Sequence, residues 1–135
     1  MASSAREFMG GVISAIQQAG GIVALSPHTR VLPDDRFGVL RGAATFDGGC
    51  ELHFVLVIDS SGDTVSLRKY RFHLMSRQKE MVFRYDNTRH HRPLGGFPHH
   101  KHVGAEETVV ESRPPDIRTI TEEIRAYIEG RRSED

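Results

Sequence analysis

The sequence predicts an α+β fold: a single domain in which an antiparallel β-meander of about five strands is flanked by an N-terminal and a C-terminal helix. Apolar residues recur at helical spacing near both ends of the chain, as in amphipathic helices. Between these ends, apolar and polar residues alternate and short glycine-containing turns recur, as in consecutive strands. The chain has 135 residues and shows no repeat or linker that divides it, so residues 1–135 are expected to form one domain.

The first predicted element is a helix that begins at a serine cap and runs to about Ala19. Ser3 and Ser4 can supply this cap, because a serine side chain accepts a hydrogen bond from a free N–H of the first helical turn. The apolar side chains that share one helical face are Phe8, Val12, Ile16 and Ala19. This face is expected to pack on the core, and the glycine pair that follows ends the helix.

Five strands are predicted after this helix. They span residues 22–25 with a continuation towards 32, 38–46, 51–59, 64–74 and 80–86. The turns at 47–49 and 60–63 contain glycine, which tolerates the positive φ of tight connections. Short connections join antiparallel neighbours, so the middle of the chain is predicted to be a meander.

Alternation along the last two of these strands separates an apolar face from a polar face. Tyr70, Phe72 and Leu74 point to one side of the fourth strand, and Phe83 and Tyr85 to one side of the fifth. If the two strands pair, their aromatic faces belong to the core. The polar side chains that would then share the opposite surface are Arg71, His73, Arg84 and Asp86.

The last part of the chain is predicted to be irregular and then helical. Prolines and glycines between residues 93 and 98 oppose regular structure there. A Pro-Pro-Asp sequence at 114–116 then introduces a helix from Ile117 to about Ile128, with isoleucines at helical spacing. Residues 131–135 are expected to be frayed.

Composition excludes some classes of function and directs attention to one segment. Lysine and arginine together number 18, as do aspartate and glutamate, so a uniformly basic nucleic-acid binder is disfavoured. Between Arg84 and His102, however, four permanent cations accompany one acid and five of the eight histidines. Cys50 is the only cysteine, so no internal disulfide can form, and the longest apolar run is too short to cross a membrane. A soluble cytoplasmic protein is therefore expected.

The same segment resembles the signature of a known family. Residues 83–91, FRYDNTRHH, and 97–104, FPHHKHVG, are similar to the F-R-[WY]-D-N-x-x-H-H and F-P-H-H-K-H-V-G blocks of the TumE family of toxins. Tyr70-Arg71-Phe72-His73 resembles the family's Y-x-[YF]-H element, and the likeness extends over residues 38–127. The resemblance implies a toxin encoded beside a helix-turn-helix antitoxin that neutralises it. A homodimer is left open.

Three interpretations of the histidine-rich segment follow from its chemistry. The first is a metal-independent ribonuclease without a cofactor, in which imidazoles serve as acid and base because they titrate near neutrality. RNA is a common target of small toxins. The residues expected to be catalytic are His73, Arg84, Asp86, His90, His91, His99, His100 and His102. Those expected to bind substrate are Arg89, Arg92, Phe97 and Lys101.

Within this set, His73, His91, His99 and His100 are the preferred acid and base candidates. Arg84 and Lys101 would hold phosphate, and Asp86 would orient a histidine tautomer.

The other two interpretations use the same residues differently. Histidines with Asp86 could bind a transition metal, although the neighbouring arginines and lysine make a divalent ion less favourable. Alternatively, the basic segment could grip RNA or an acidic partner, or occlude a ribosomal site, without cleaving a bond.

Overall fold

The structure is a computed structural model that describes residues 4–88 and 98–134. Within these residues, two helices accompany one antiparallel sheet. The helices are α1 (Ala5–Gln17) and α2 (Ile117–Glu134). The strands are β1 (Ile22–Val31), β2 (Phe37–Phe46), β3 (Glu51–Asp59), β4 (Ser66–Met75), β5 (Met81–Asp86), β6 (His100–Val103) and β7 (Val109–Glu111).

The α+β class and the meander are confirmed, because each strand pairs with the next one along the chain in antiparallel register. The predicted strand number is wrong: the described part of the chain forms seven strands rather than about five. The two additional strands, β6 and β7, follow Pro98 in a segment expected to be irregular. Pro98 does not disrupt β6, because it precedes the strand and so takes no N–H group from the ladder.

The two helices begin where the sequence predicts. Ser4 caps α1, since its side chain accepts a hydrogen bond of 3.1 Å from the backbone N–H of Glu7. Helix α2 begins at Ile117 and continues through Glu134, beyond its expected end. No helix in the described ranges is both long enough and apolar enough to cross a membrane.

Both helices pack on the same side of the sheet, which we call the helix face; the opposite side is the open face. Alternate residues of each central strand point into the layer between helices and sheet. The buried side chains of this layer include Met9, Ile16, Leu40, Phe54, Leu56, Tyr70, Phe72, Leu74, Phe83, Ile120 and Ile124. The predicted aromatic core face of β4 and β5 is therefore confirmed, and the open face is left to polar side chains.

Candidate functional site

Strands β5 and β6 bring four polar side chains together on the open face. Arg84 lies opposite His102 in the strand register, and Asp86 lies opposite His100. All four residues point to the same side because residues i and i+2 of a strand share a face. We call this group the polar cluster.

Asp86 is at the centre of the polar cluster and is 1% exposed. Its Oδ1 accepts a hydrogen bond of 3.0 Å from the backbone N–H of Thr88, and its Oδ2 accepts one of 3.0 Å from Nε of Arg84. Burial by itself would raise the pKa of Asp86, but Thr88, His100 and Arg84 together lower this pKa below its ordinary value. The carboxylate is therefore ionised at neutral pH.

His100 is buried between two acceptors. Its Nδ1 lies 3.0 Å from the carbonyl oxygen of Pro98, which can only accept, so Nδ1 carries a proton. Its Nε2 lies 2.8 Å from Oδ1 of Asp86, at ion-pair distance although not aligned as a hydrogen bond. The two ring nitrogens of His100 therefore face the Asp86 carboxylate and the Pro98 carbonyl.

His102 is held by hydrogen bonds at both ring nitrogens. Its Nδ1 donates to the carbonyl oxygen of Glu106 at 2.7 Å, and its Nε2 accepts from Nη2 of Arg84 at 3.0 Å. A ring that donates on one side and accepts from a guanidinium on the other is neutral. The distance of 3.7 Å between Nε2 and Oδ2 of Asp86 is therefore not that of an ion pair.

Arg84 links the cluster to the surface. Its side chain is 13% exposed, and its Nη1 and Nη2 each donate to the Glu106 carboxylate at 2.8 Å. This two-bond geometry is the one by which arginine also binds phosphate. The Glu106 side chain is 63% exposed, so it covers the outer edge of the guanidinium from a position open to exchange.

The same cluster contains a set of donors with the spacing of a metal site. One nitrogen or oxygen atom from each of Asp86, His100 and His102 lies within 4.8 Å of the others. Arg84, however, already donates to both Asp86 Oδ2 and His102 Nε2. A divalent ion between these atoms would require the guanidinium to leave. The positive charge of Arg84 thus lies where a metal ion would bind, and this arrangement disfavours the metal ion.

His73 lies beside the cluster, opposite Arg84 in the pairing of β4 with β5. Its Nε2 is buried and has no hydrogen-bond partner within the described ranges. Burial, with a smaller contribution from the Arg84 guanidinium, lowers the pKa of His73 below its ordinary value of 6.5. His73 is thus a neutral imidazole next to a fixed positive charge.

His99 and Lys101 point to the helix face, away from the polar cluster. Nδ1 of His99 lies 2.9 Å from the hydroxyl of Tyr70, and the two rings stack with centroids 5.8 Å apart. Nζ of Lys101 donates to both carboxylate oxygens of Glu123 in α2, at 2.9 and 3.0 Å. Alternation along β6 separates Lys101 from His100 and His102, and the contact with Tyr70 places His99, which precedes the strand, on the same side as Lys101.

The remaining candidates lie outside the described residues: Arg89, His90, His91, Arg92 and Phe97. The described residues on either side of this stretch are both bound to the cluster. Thr88 donates its N–H to Asp86, and Pro98 accepts from His100.

Sequence reasoning missed Glu106, whose carboxylate and backbone carbonyl hold Arg84 and His102. Glu106 belongs to the turn between β6 and β7, neither of which was predicted. An acid in a polar turn carries no local signal of a partner 22 residues away. It could have been found only by pairing the strands on both sides of it.

The orientation of Lys101 leads to a test of its expected role. Lys101→Gln should lower the free energy of unfolding by about 1 kcal/mol, because it breaks a partly buried ion pair with Glu123. In a double-mutant cycle measured by urea unfolding, Glu123→Gln should remove most of the effect of Lys101→Gln. If Lys101 instead serves a phosphate, the two substitutions would be additive in stability and Lys101→Gln would weaken RNA binding.

Comparison with known proteins identifies a family. A family model described as Toxin TumE matches residues 14–132, which is most of the chain and includes every residue of the polar cluster. No curated protein and no solved structure matches the chain. The resemblance carried by the segments at 70–73, 83–91 and 97–104 is thereby confirmed.

Proposed function

Because the chain belongs to the TumE family of toxins, we propose that it is the toxin of a toxin–antitoxin pair and cleaves RNA in the cytoplasm without a metal ion. Its partner in this proposal is a helix-turn-helix antitoxin that neutralises it. The family match supports the toxin role alone. The reaction is argued from the polar cluster and His73.

The observation that carries the proposal is the placement of two imidazoles, those of His73 and His100, near Arg84. The pKa of His73 is lowered and its Nε2 has no hydrogen-bond partner among the described residues, whereas the ring nitrogens of His100 face the Asp86 carboxylate and the Pro98 carbonyl. A base and an acid are what transesterification of RNA requires, with a cation to stabilise the charge on phosphorus. Arg84 supplies this cation between them.

The proposed step is an attack by the ribose 2′-oxygen on the adjacent phosphorus. Nε2 of His73 takes the 2′-hydroxyl proton, the new P–O2′ bond forms and the P–O5′ bond breaks. The Asp86–His100 pair gives its proton to the leaving 5′-oxygen. The products are a 2′,3′-cyclic phosphate and a 5′-hydroxyl, and no oxidant, reductant or cofactor is consumed.

Substrate entry in this proposal requires the phosphate to replace Glu106 on the guanidinium. Carboxylate and phosphate bind arginine with the same two-bond geometry. The exposed Glu106 is therefore the group that a substrate phosphate exchanges with, and its departure uncovers Arg84.

The test is inducible expression followed by sequencing of RNA fragment ends, together with the purified protein acting on RNA in excess EDTA. We expect cleavage that persists in EDTA and leaves cyclic phosphate ends. Cleavage abolished by EDTA and restored by a divalent ion would favour the metal alternative. Intact RNA alongside arrested translation would contradict cleavage and favour a toxin that acts by binding.

A further inference from the structure

The open face carries a second feature, on strands β1 to β4, that the cleavage step does not use. Four cationic side chains lie there and are exposed: Arg30, Arg41, Lys69 and Arg71. The strand register places all four on the same side of the sheet as Asp86 and His73. We call this set the basic strip.

The cations of the basic strip are not neutralised within the described structure. None of the four takes part in an ion pair or a side-chain hydrogen bond with a described residue. The two acids at the ends of β3 on the same face have other partners: Glu51 pairs with Lys79, and Asp59 with Arg68. The middle of the open face is therefore positively charged although the whole chain is formally neutral.

The basic strip leads directly to the polar cluster. Arg71 lies opposite Asp86 in the register of β4 and β5. Arg41 lies on the same row two strands further out, roughly 10 Å away at the usual strand spacing. Lys69 is two residues before Arg71 on the same side of β4, roughly 7 Å along the strand.

The floor between these cations is apolar and only partly buried. Val39, Val55 and Val57 share the open face with the strip. Cations around a shallow apolar floor suit a flexible polyanion that bears apolar groups, such as a single strand of nucleic acid. At the central positions of β1 to β4, the aromatic rings on this face are the imidazoles of His28, His53 and His73, and no phenylalanine or tyrosine ring points there.

We propose that the basic strip binds the ribose–phosphate backbone of single-stranded RNA and leads it to the polar cluster. This inference rests on the proposed function, since it assigns the path of the substrate to that site. Contacts made through phosphates recognise charge rather than sequence, so binding by the strip tolerates sequence change and weakens with salt. Discrimination between sequences then belongs to other residues.

The experiment measures binding apart from cleavage. The probe is a fluorescent single-stranded 2′-O-methyl RNA of about 12 nucleotides, a length within the usual site size of such surfaces. It lacks the 2′-hydroxyl nucleophile and cannot be cut by the proposed reaction. Fluorescence anisotropy compares the wild type with Arg41→Gln/Arg71→Gln. The control, Arg6→Gln/Arg118→Gln, removes the same charge from exposed helical positions.

We expect the strip variant to bind about tenfold more weakly than the wild type near 0.15 M salt. The magnitude of the negative slope of log K against log salt should fall by about 1.4, as for two lost phosphate contacts to a single strand. The helix control should bind as the wild type does. Equal effects of the two double substitutions would overturn the inference. The four substituted arginines are all exposed, so thermal unfolding should show that both double variants remain folded.

Cleavage assays on unmodified RNA distinguish the two proposals. If the wild type cleaves RNA and the strip variant does so with unchanged KM, the strip inference fails and the proposed function stands. If the probe binds through the strip but the wild type cleaves no RNA, the proposed function fails and the strip stands. Weakened binding to the antitoxin with unchanged binding to RNA would overturn the inference and identify the face as a protein interface.

Discussion

Asp86→Asn should lower the free energy of unfolding by about 3–5 kcal/mol, because it removes the buried counter-charge of the Arg84 guanidinium. The carboxylate receives hydrogen bonds from Thr88 and Arg84 and pairs with His100. An asparagine of the same size offers one acceptor oxygen and no charge. The amide nitrogen of the asparagine would also face either the N–H of Thr88 or Nε of Arg84, both of which are hydrogen-bond donors.

Urea unfolding at neutral pH measures this loss, with Glu107→Gln as the control. Glu107 is exposed in the same turn as Glu106, and its substitution should change stability by less than about 0.5 kcal/mol. A loss for Asp86→Asn as small as that of the control would show that the polar cluster is not a coupled network. It would also remove the basis for proposing that Asp86 and His100 act as a pair.

The same residue gives stability a defined pH dependence. The folded pKa of Asp86 lies below its ordinary value of 3.8, so the unfolded chain binds this proton more readily. The resulting stabilisation is fully present above the ordinary value and is lost as the pH falls through the folded pKa. The stability difference between wild type and Asp86→Asn should therefore be constant near neutrality and narrow below about pH 4. A constant difference down to pH 2 would contradict this assignment.

The second large effect concerns the reaction. His73→Asn and His100→Asn should each lower the rate of RNA cleavage by about 10²–10⁴-fold, the usual contribution of a general base or acid. The two substitutions should be far less than additive, since both groups act in one step. Rates are measured on purified protein with a defined RNA, at a temperature where circular dichroism shows each variant to be folded.

His28→Asn is the matched control, because His28 is an exposed histidine of β1. Because His28 lies opposite Arg41 of the basic strip, rates are compared at saturating RNA, where His28→Asn should cleave at the wild-type rate. Undiminished toxicity of both His73→Asn and His100→Asn would exclude acid–base chemistry at this site and favour action by binding. Loss of cleavage in His73→Asn alone would retain the base but require another acid.

Much of the fold followed from local pattern. Tyr70 and Phe72 alternate with Arg71 and His73, and this period of two assigned the core face and the open face of β4 before any pairing was known. The serine cap and the Pro-Pro-Asp sequence marked where both helices begin, because these residues satisfy or tolerate the free N–H groups of a first turn.

The sequence predicted the segment that carries the candidate site residues, but it did not show which of them share a face of the sheet. Alternation would have separated His100 and His102 from His99 and Lys101, had the segment been recognised as a strand. A four-residue strand after a proline and two glycines has too few alternating positions to be recognised by itself. Its strand character comes from backbone hydrogen bonds to β5 and β7.

The sequence by itself determined the fold class, the helix starts, the polar side of β4 and β5 and the family, because all of these depend on residue order over short distances. Only the tertiary structure decided which imidazoles accompany Asp86, that Glu106 covers Arg84, and that four cations of distant strands share one surface. The physical reason is that these relations arise from strand register, which is set by pairing between segments far apart in the chain.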